Sequence, residues 1–421
     1  IDISQPLGYL HRIDVISADV MIDDRQFGVK WRAPETDLIL TKKEGKVSVS
    51  AELDLRSNDP LVNETAAINL RGDYDIDKNV ARVTVGFSDL NPSVLSRLSL
   101  KLTALQHFNL PLSGDVDLVI AKSGEINKFE FNLSGGKGQI TFLESMQASV
   151  LVKEMKFLGQ YDKVARRLQI ENLTLNLDKD GALKLPVPFN YEWPGRKISL
   201  IGNYDFDFSR LTLQKIKFFT KELIVTASAT IRKFNDNIYF ELNGKTNDLA
   251  INQIFAVWPK ELAPPAREWA IDSLVGGIIP SVKVNMQGQY SQMNGFAVSI
   301  IQGVLDYEKM TVDYLTSMPK VTDGKGKVKF DGNHIDIEIM HAKSGDLLIR
   351  NGHITFTGLS KVDQHADVQL EIDGSLGSII KIADSKPISL MKSIGFAPSL
   401  VKGNFTSKTR LNFLLERNLT L

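Results

Sequence analysis

Hydrophobic and polar residues alternate with a period of two along most of the chain. Val47, Val49 and Ala51, for example, interleave with Ser48 and Ser50. Because successive side chains of a strand point to opposite faces of its sheet, each such segment predicts a strand with one apolar face and one solvated face. The same alternation places apolar residues at Leu53, Leu55, Val116, Leu118, Ile120, Leu173, Leu175, Leu177, Val282, Val284, Met286, Ile335, Ile337, Ile339, Val368, Leu370 and Ile372.

Short clusters of Gly, Asn, Asp and Ser separate the alternating segments. Asn-Gly and Asp-Gly pairs tolerate the positive φ angles of tight turns, so we expect hairpin turns at Asp323-Gly324, Asp331-Gly332 and Asn351-Gly352. The pattern predicts a mainly β fold of about eighteen to twenty mostly antiparallel strands in meander order.

Helical signals are few, and they recur in similar surroundings. Asn followed by Pro predicts an N-cap and a first helical residue at Asn91-Pro92. Further helices are expected at Ile251 to Trp258, ended by Pro259, at Ala263 to Leu274 with Trp269 on the buried side, and at Ile379 to Ala383 and Ile388 to Ile394 around Pro387.

These helices indicate an internal repeat. A leucine, a short helical segment and a glycine precede a new strand three times, at Leu90 to Gly114, Leu249 to Gly277 and Leu376 to Gly403. The repeat predicts three segments: 1-88, 89-247, and 248-421 with helical caps at 248-277 and 376-396. Because the alternation is under way near both termini, we expect both ends to be cut from a longer chain.

Alternation leaves two architectures open for so many half-apolar strands. A closed sandwich or barrel would let the apolar faces cover one another. Alternatively, the sheet could curl into a trough whose apolar lining is covered by something other than protein, such as acyl chains.

The charge balance and the absence of cysteine exclude several classes of function. The 421 residues contain 50 Lys and Arg against 50 Asp and Glu, and 43% are hydrophobic, which is typical of a packed protein. This zero balance argues against nucleic acid as a partner. The absence of cysteine excludes disulfides, thiol nucleophiles and cysteine-ligated metals.

Candidate chemistry is weak throughout the sequence. Asp73, Asp75 and Asp77 begin like a calcium loop, but Lys78 stands where that loop needs glycine and Thr84 where it needs glutamate. His334, His341 and His353 could meet across a hairpin, yet they lack the spacing of a known zinc motif. We therefore predict no catalytic residues, no metal and no cofactor.

Two blocks of sequence resemble a known family. The first carries, in order, Trp258, Pro259, Leu262, Pro265, Ala266, Arg267, Trp269 and Gly277, and the second runs from Val312 to Gly332. Together with Ile394 to Pro398 and Gly403, they resemble the YhdP-type AsmA-like proteins over roughly residues 245 to 421. One departure is Gly277-Ile278, where the family usually has a basic residue after the glycine.

The resemblance implies a long, curved antiparallel sheet that forms an open, taco-like groove, similar in architecture to TamB and capped by a few short helices. It implies a periplasmic bridge, anchored in the inner membrane through a segment outside this sequence and reaching toward outer-membrane or envelope proteins. The implied activity is passive movement of glycerophospholipids, without a chemical step, in support of outer-membrane lipid homeostasis.

Lining and capping residues follow from the alternation and the resemblance taken together. We expect acyl chains to contact Leu118, Ile120, Phe129, Phe131, Phe206, Phe208, Phe240, Ile337, Phe356 and Leu370. Trp258, Arg267 and Trp269 are expected to cap part of the groove, because large amphipathic side chains on a short helix can close an apolar opening. For all of these residues the alternative is ordinary packing against other side chains of the protein, and the sequence does not decide between the two.

Two rival functions stay open as well. A structural or adhesive sandwich or solenoid would bind protein partners through an exposed edge. A polysaccharide-acting enzyme would need a convergent pair of acid and base residues, and none is visible in the sequence.

Overall fold

A computed structural model describes most of the chain. The described residues are 11–25, 29–57, 65–97, 99–121, 124–143, 148–178, 182–185, 191–221, 223–258, 260, 263–314, 318–359, 363–384 and 402–414. Within them the fold is mainly β, with a few short helices, as the alternation predicts. No helix in the described ranges is both long enough and apolar enough to cross a membrane.

The chain divides into two compact units. The first comprises Ile1–Leu185, Pro194–Glu222 and Ala229–Phe234, and the second comprises Pro186–Trp193, Leu223–Ser228 and Asn235–Leu421. The three-segment division predicted above rests on a sequence repeat and stays a prediction.

The first unit contains strands β1 to β12, β14 and β15. Their bounds are β1 Arg12–Asp24, β2 Val29–Lys43, β3 Lys46–Ser57, β4 Thr65–Asp75, β5 Val80–Leu90, β6 Phe108–Asn109, β7 Leu112–Ile120, β8 Ile126–Gly135, β9 Gly138–Leu143, β10 Ala148–Asp162, β11 Arg167–Leu177, β12 Ala182–Leu185, β14 Lys197–Asp205 and β15 Arg210–Phe219. Strands β13 (Tyr191–Pro194) and β16 (Ile224–Phe234) are divided between the units.

The second unit contains strands β17 to β24. Their bounds are β17 Asn237–Ala250, β18 Leu274–Ser291, β19 Gly295–Val312, β20 Val321–Asp331, β21 His334–Ser344, β22 Leu347–Thr357, β23 His365–Ser375 and β24 Asn404–Leu414. The described residues thus form 24 strands, more than predicted, in part because three strands of two to four residues have too few positions to alternate.

Antiparallel ladders connect the strands of each unit. In the first unit the order is β1-β2-β3-β4-β5-β7-β8-β10-β11-β14-β15, with β9 and β12 also paired to β10. In the second unit β17 to β24 pair in sequence order. Among the described residues β1 pairs only with β2, and β24 only with β23, so neither sheet is closed.

Successive connections of an antiparallel meander alternate between its two sides. In the first unit the turns at residues 44–45, 76–79, 163–166 and 206–209, together with the connection from β7 to β8, therefore share one side, which we call the hairpin rim. The connection from β5 to β7 is on the opposite side, which we call the helix rim. It contains helix α1 (Pro92–Leu95) and a 3₁₀ segment (Leu100–His107).

The second unit has the same two rims. Its helix rim carries α2 (Ile251–Val257) and α3 (Pro264–Ser273) between β17 and β18, and α4 (Leu376–Asp384) after β23. The helices predicted from the sequence are confirmed at these places, and Asn91 caps α1 by accepting a hydrogen bond from the backbone N–H of Ser93. The segment predicted as helical at 388 to 394 lies outside the described residues.

Two of the predicted turns are wrong. Asp323-Gly324 lies inside β20, and Asn351-Gly352 lies inside β22. Asp323 has a φ of 53° at a shift in the strand register, which indicates a β-bulge. Gly352 fits beneath neighbouring side chains, because an added Cβ would lie 2.7 Å from Cδ2 of Leu370. The Asp-Gly turn at 331–332 is confirmed.

The fully buried core of the first unit lies toward the helix rim. Val150, Val152 and Leu175 are at most 1% exposed, and Leu110 from the helical connection is equally covered. Apolar side chains nearer the hairpin rim on the same strands keep part of their surface in contact with solvent. The burial of this apolar face therefore decreases from the helix rim to the hairpin rim.

Candidate functional site: an apolar sheet face

One face of the first unit's sheet is apolar from strand to strand. Directly paired residues of neighbouring strands point to the same face, so the register identifies the members of each row. On this apolar face, the row nearest the hairpin rim that crosses all eleven paired strands consists of Ile13, Leu40, Val49, Gly72, Val83, Leu118, Phe129, Tyr161, Leu168, Tyr204 and Leu211. We call it the outer row.

A second row runs parallel to the outer row, one side-chain pair closer to the helix rim. Its members are Val15, Leu38, Ala51, Leu70, Val85, Val116, Phe131, Gly159, Ile170, Gly202 and Leu213, and every one is apolar. The outer row from Val83 to Leu211 is half-buried throughout. Continuous apolar surface that no protein layer fully covers is a common mark of a binding surface.

The opposite face of the same strands is polar. The row between the two apolar rows includes Ser50, Arg71, Thr84, Asp117, Glu130, Gln160 and Gln169. Cross-strand hydrogen bonds and ion pairs hold this face, such as the Thr84 hydroxyl donating to Asp117 Oδ1 at 2.6 Å. The sheet of the first unit therefore has one polar, solvated face and one apolar face.

The second unit repeats this arrangement. One of its rows begins at Thr246 and is apolar from there on, with Val282, Leu305, Val328, Ile337, Ile354, Val368 and Leu411. The neighbouring row contains Gly244, Val284, Gly303, Phe330, Ile335, Phe356, Ala366 and Phe413. On its polar face, His353, Gln369 and Arg410 follow one another across three strands.

Eight of the ten residues predicted to contact acyl chains lie on these apolar faces. Leu118, Ile120, Phe129 and Phe131 belong to the first unit, and Phe240, Ile337, Phe356 and Leu370 belong to the second. Their contact with acyl chains stays a prediction.

The predicted strand positions of Phe206 and Phe208 are wrong. Both lie in the turn between β14 and β15, where they are 41% and 62% exposed. Asp205 forms this turn, because its carboxylate accepts hydrogen bonds from the backbone N–H groups of Asp207 and Phe208. The Phe206 ring turns toward the apolar face and contacts Tyr161 and Tyr204 edge-on.

Aromatic rings on both apolar faces lie over glycines of the neighbouring strand. The directly paired couples are Phe131 with Gly159, Phe240 with Gly288, Tyr307 with Gly326 and Phe330 with Gly303. At Gly288, for example, an added Cβ would lie 2.6 Å from Cζ of Phe240. A ring that lies over a glycine projects less from the sheet, so these pairs keep the apolar layer shallow.

Helix α2 covers the apolar face of the second unit at its helix rim. Ile251 belongs to a buried cluster with Leu249, Ile279, Tyr307 and Met310, and Ile254 packs against that cluster. Burial and the nearby Glu338 raise the pKa of Tyr307 to about 12, and its hydroxyl donates to the Glu338 carbonyl at 3.1 Å. At the helix rim of the second unit, the protein's own side chains therefore cover the apolar face.

Arg267 connects the two helices. Its Nε donates to the Trp258 carbonyl at 3.0 Å, and its Nη2 donates to the Phe255 carbonyl at 3.2 Å. Arg267 therefore satisfies carbonyl groups that the end of α2 leaves without helical partners. The prediction that Trp269 faces inward is wrong: its side chain is 47% exposed on α3, where Ala270 is the buried neighbour.

The histidines that could have met across a hairpin face separate carboxylates. His341 lies 3.3 Å from Asp323, and His353 lies 3.6 Å from Asp336. In the part of the chain that the structure describes, no group of three or more potential metal ligands comes together.

Taken together, the geometry defines a class of protein: an open antiparallel β fold in which each unit presents one polar face and one apolar face that is only partly covered. The family comparison agrees with the motif resemblance, since the model of the YhdP protein family matches residues 37–419. The chain therefore belongs to the YhdP family. No curated protein and no solved structure matches it.

Proposed function

We propose that this chain is a segment of a periplasmic bridge that conducts glycerophospholipids between the inner and outer membranes. Acyl chains would lie against the apolar faces while head groups stay in water. The bridge would be anchored in the inner membrane by a segment outside this sequence, would reach outer-membrane or envelope proteins, and would perform no chemical step.

The observation that carries the proposal is the outer row, which stays apolar and half-buried from Val83 to Leu211. Burying a methylene is worth about 0.8 kcal/mol, so carrying a bare acyl tail of about fifteen carbons through water costs on the order of 12 kcal/mol. A continuous apolar surface removes most of that cost at each step. A row interrupted by polar residues would restore part of this free-energy cost.

The test compares two adjacent substitutions on β7. Leu118 lies on the apolar face, whereas Val119 lies on the polar face between Arg82 and Lys128. Leu118→Asp puts a charge in the acyl-chain path, and Val119→Asp adds the same charge beside two cations. We expect Leu118→Asp to lower phospholipid co-purification and vesicle-to-vesicle transfer at least about tenfold, since desolvating a carboxylate costs more than 1.4 kcal/mol. Val119→Asp should leave both unchanged.

Native mass spectrometry of the purified chain and a fluorescent-lipid transfer assay provide the readouts. A lipid-free preparation of the unmodified protein, or equal transfer by both variants, would contradict the proposal. A purified chain that carries no lipid but retains a protein partner would favour the alternative of a structural, protein-binding β-scaffold.

A further inference from the structure

The two rims of the first unit present different chemistry to anything that lies across the apolar face. Two tyrosines of the outer row, Tyr161 and Tyr204, each precede by one residue the aspartate that ends its strand at the hairpin rim. At the helix-rim ends of the same strands stand Val152 and Ile198, which are 0% and 6% exposed. A tyrosine has an apolar ring and a polar tip, which suits a boundary between hydrocarbon and water.

The two tyrosines belong to one aromatic cluster. Tyr161 lies 5.1 Å from Phe129 and 5.6 Å from Phe206, measured between ring centroids, and Phe206 lies 4.7 Å from Tyr204. The two tyrosines are half-buried in this cluster. Within the described ranges neither tyrosine hydroxyl donates a hydrogen bond to the protein. Two hydroxyl donors are therefore held side by side at the end of the apolar surface.

The turns next to this cluster carry charges of both signs. Asp162 ends β10, Arg166 lies in the turn that follows it and Asp207 lies in the next hairpin-rim turn, with Arg166 Nε 2.5 Å from Asp207 Oδ1. Lys163 is 55% exposed on the first of these turns. Paired positive and negative charges complement a head group that carries both a phosphate and an amine.

The distance between the rims also fits an acyl chain. From Tyr161 to Met155 along β10 there are four positions on the apolar face, which at about 3.4 Å per residue span roughly 20 Å. The hydrocarbon of one bilayer leaflet is about 15 Å thick. An acyl chain that starts at Tyr161 and follows the strand would thus end near Phe157 and Met155.

We propose that the aromatic cluster formed by Phe129, Tyr161, Tyr204 and Phe206 is the site that binds the glycerol-ester region of a zwitterionic diacyl phospholipid. This inference rests on the function proposed above. The hydroxyls of Tyr161 and Tyr204 donate to the ester oxygens, the charged turns face the head group, and the acyl chains run along the strands toward the helix rim. Each lipid therefore lies across the sheet with its head group at the hairpin rim.

The experiment uses the full chain and phosphatidylcholine that carries one photoactivatable diazirine. One probe has the diazirine on the acyl chain next to the glycerol, and the other has it at the chain end. After illumination, fragmentation mass spectrometry locates the labelled residues. We expect the first probe to label Phe129, Tyr161 and Tyr204, and the second to label Leu133, Phe157 and Leu173.

The outcomes separate this inference from the function on which it rests. Labelling of the apolar face in the reverse order, or the same residues with both probes, would overturn the orientation while leaving lipid binding in place. Absence of labelling on the apolar face would overturn the proposed function itself.

A double substitution tests the role of the hydroxyls. Tyr161→Phe with Tyr204→Phe keeps both rings and removes both donors, and it should lower the yield of the glycerol-side probe at least about threefold. Tyr239→Phe is the matched control, because Tyr239 pairs with Gln289 on the polar face. An unchanged yield in the double variant would refute the ester site.

Discussion

The ring of Phe131 lies over Gly159, its direct partner on the neighbouring strand. A Cβ added at Gly159 would lie 2.8 Å from Cζ of Phe131 and 2.5 Å from the Gln169 carbonyl oxygen. This position excludes every side chain larger than hydrogen, although its backbone has no positive φ. Glycine is required here by the close approach of an aromatic ring and a carbonyl, not by a turn.

Gly159→Ala should destabilise the first unit by about 1–3 kcal/mol, because the added methyl overpacks a filled site. Hydrogen exchange of the β10 amides measures the change. The matched control is Gly244→Ala, also on an apolar face, where the nearest atom to an added Cβ is Leu242 Cδ2 at 3.8 Å. That variant should be neutral or slightly more stable on β17. Equal effects at both sites would mean that the ring does not occupy the space above Gly159.

Arg267→Ala should loosen the α2–α3 connection by about 1–3 kcal/mol, because two carbonyl acceptors lose a charged donor. Faster amide exchange in α2, with unchanged exchange in β22, would report this local loss. Arg267→Lys should recover only part of the protection, since lysine cannot reproduce two donors in a fixed plane. Glu268→Ala, at an exposed neighbouring position, is the control. Wild-type exchange in Arg267→Ala would show that these hydrogen bonds do not hold the helix.

Stability should fall at alkaline pH because of Tyr307. Its pKa is raised to about 12 in the folded state by burial and by Glu338, compared with about 10 in an unfolded chain. The protonated form is thus favoured by folding, so the stabilisation is complete below pH 10 and is lost as the pH rises toward 12. The slope is about 1.4 kcal/mol per pH unit at most.

Urea unfolding between pH 8 and 11.5 measures this slope. Tyr307→Phe should be about 1 kcal/mol less stable at neutral pH, from the lost hydrogen bond, and should show a weaker alkaline dependence. A residual slope is expected, because burial also raises the pKa of Tyr314. An identical slope in the variant would assign the alkaline sensitivity to other groups.

Asp248 has a left-handed backbone, with a φ of 56°, inside β17 and three residues before α2 begins. Valine is strained in this conformation, so Asp248→Val should cost about 1–2 kcal/mol, whereas Asp248→Gly should be nearly neutral. Asn247→Val is the control, since Asn247 is the residue before Asp248, is exposed in the same strand and has no positive φ. Exchange of the α2 amides should be faster in Asp248→Val than in the other two variants. Equal protection in all of them would contradict a strained position.

The sequence predicts the faces of this sheet better than its turns. Alternation places Leu118 and Phe131 on one face and Asp117 on the other, and the register agrees. Asn351-Gly352 resembles a hairpin turn by composition, but Gly352 is needed for space beside Leu370. A glycine that accommodates a neighbour and a glycine that makes a turn are identical in sequence, and only the pairing register distinguishes them.

The aromatic cluster at the hairpin rim cannot be predicted from the sequence either, because it also depends on the pairing register. Phe129, Tyr161 and Tyr204 are far apart in the chain, and bulges between Leu158 and Gly159 and between Ile201 and Gly202 shift which residues meet. The sequence also does not predict on which side of α3 the Trp269 side chain lies. A helix of ten residues with weak amphipathic character does not define which side it buries.

The connection between β17 and β18 also bears on how such a chain can vary. Leu249 pairs directly with Ile279, so the ladder between β17 and β18 keeps one register up to the point where the chain leaves it for the two helices. The register on either side is therefore independent of how many residues the excursion contains. A peptide tag or a small domain inserted between β17 and β18 would lengthen this connection without shifting the register of any strand. We therefore expect this architecture to tolerate insertions at the helix rim.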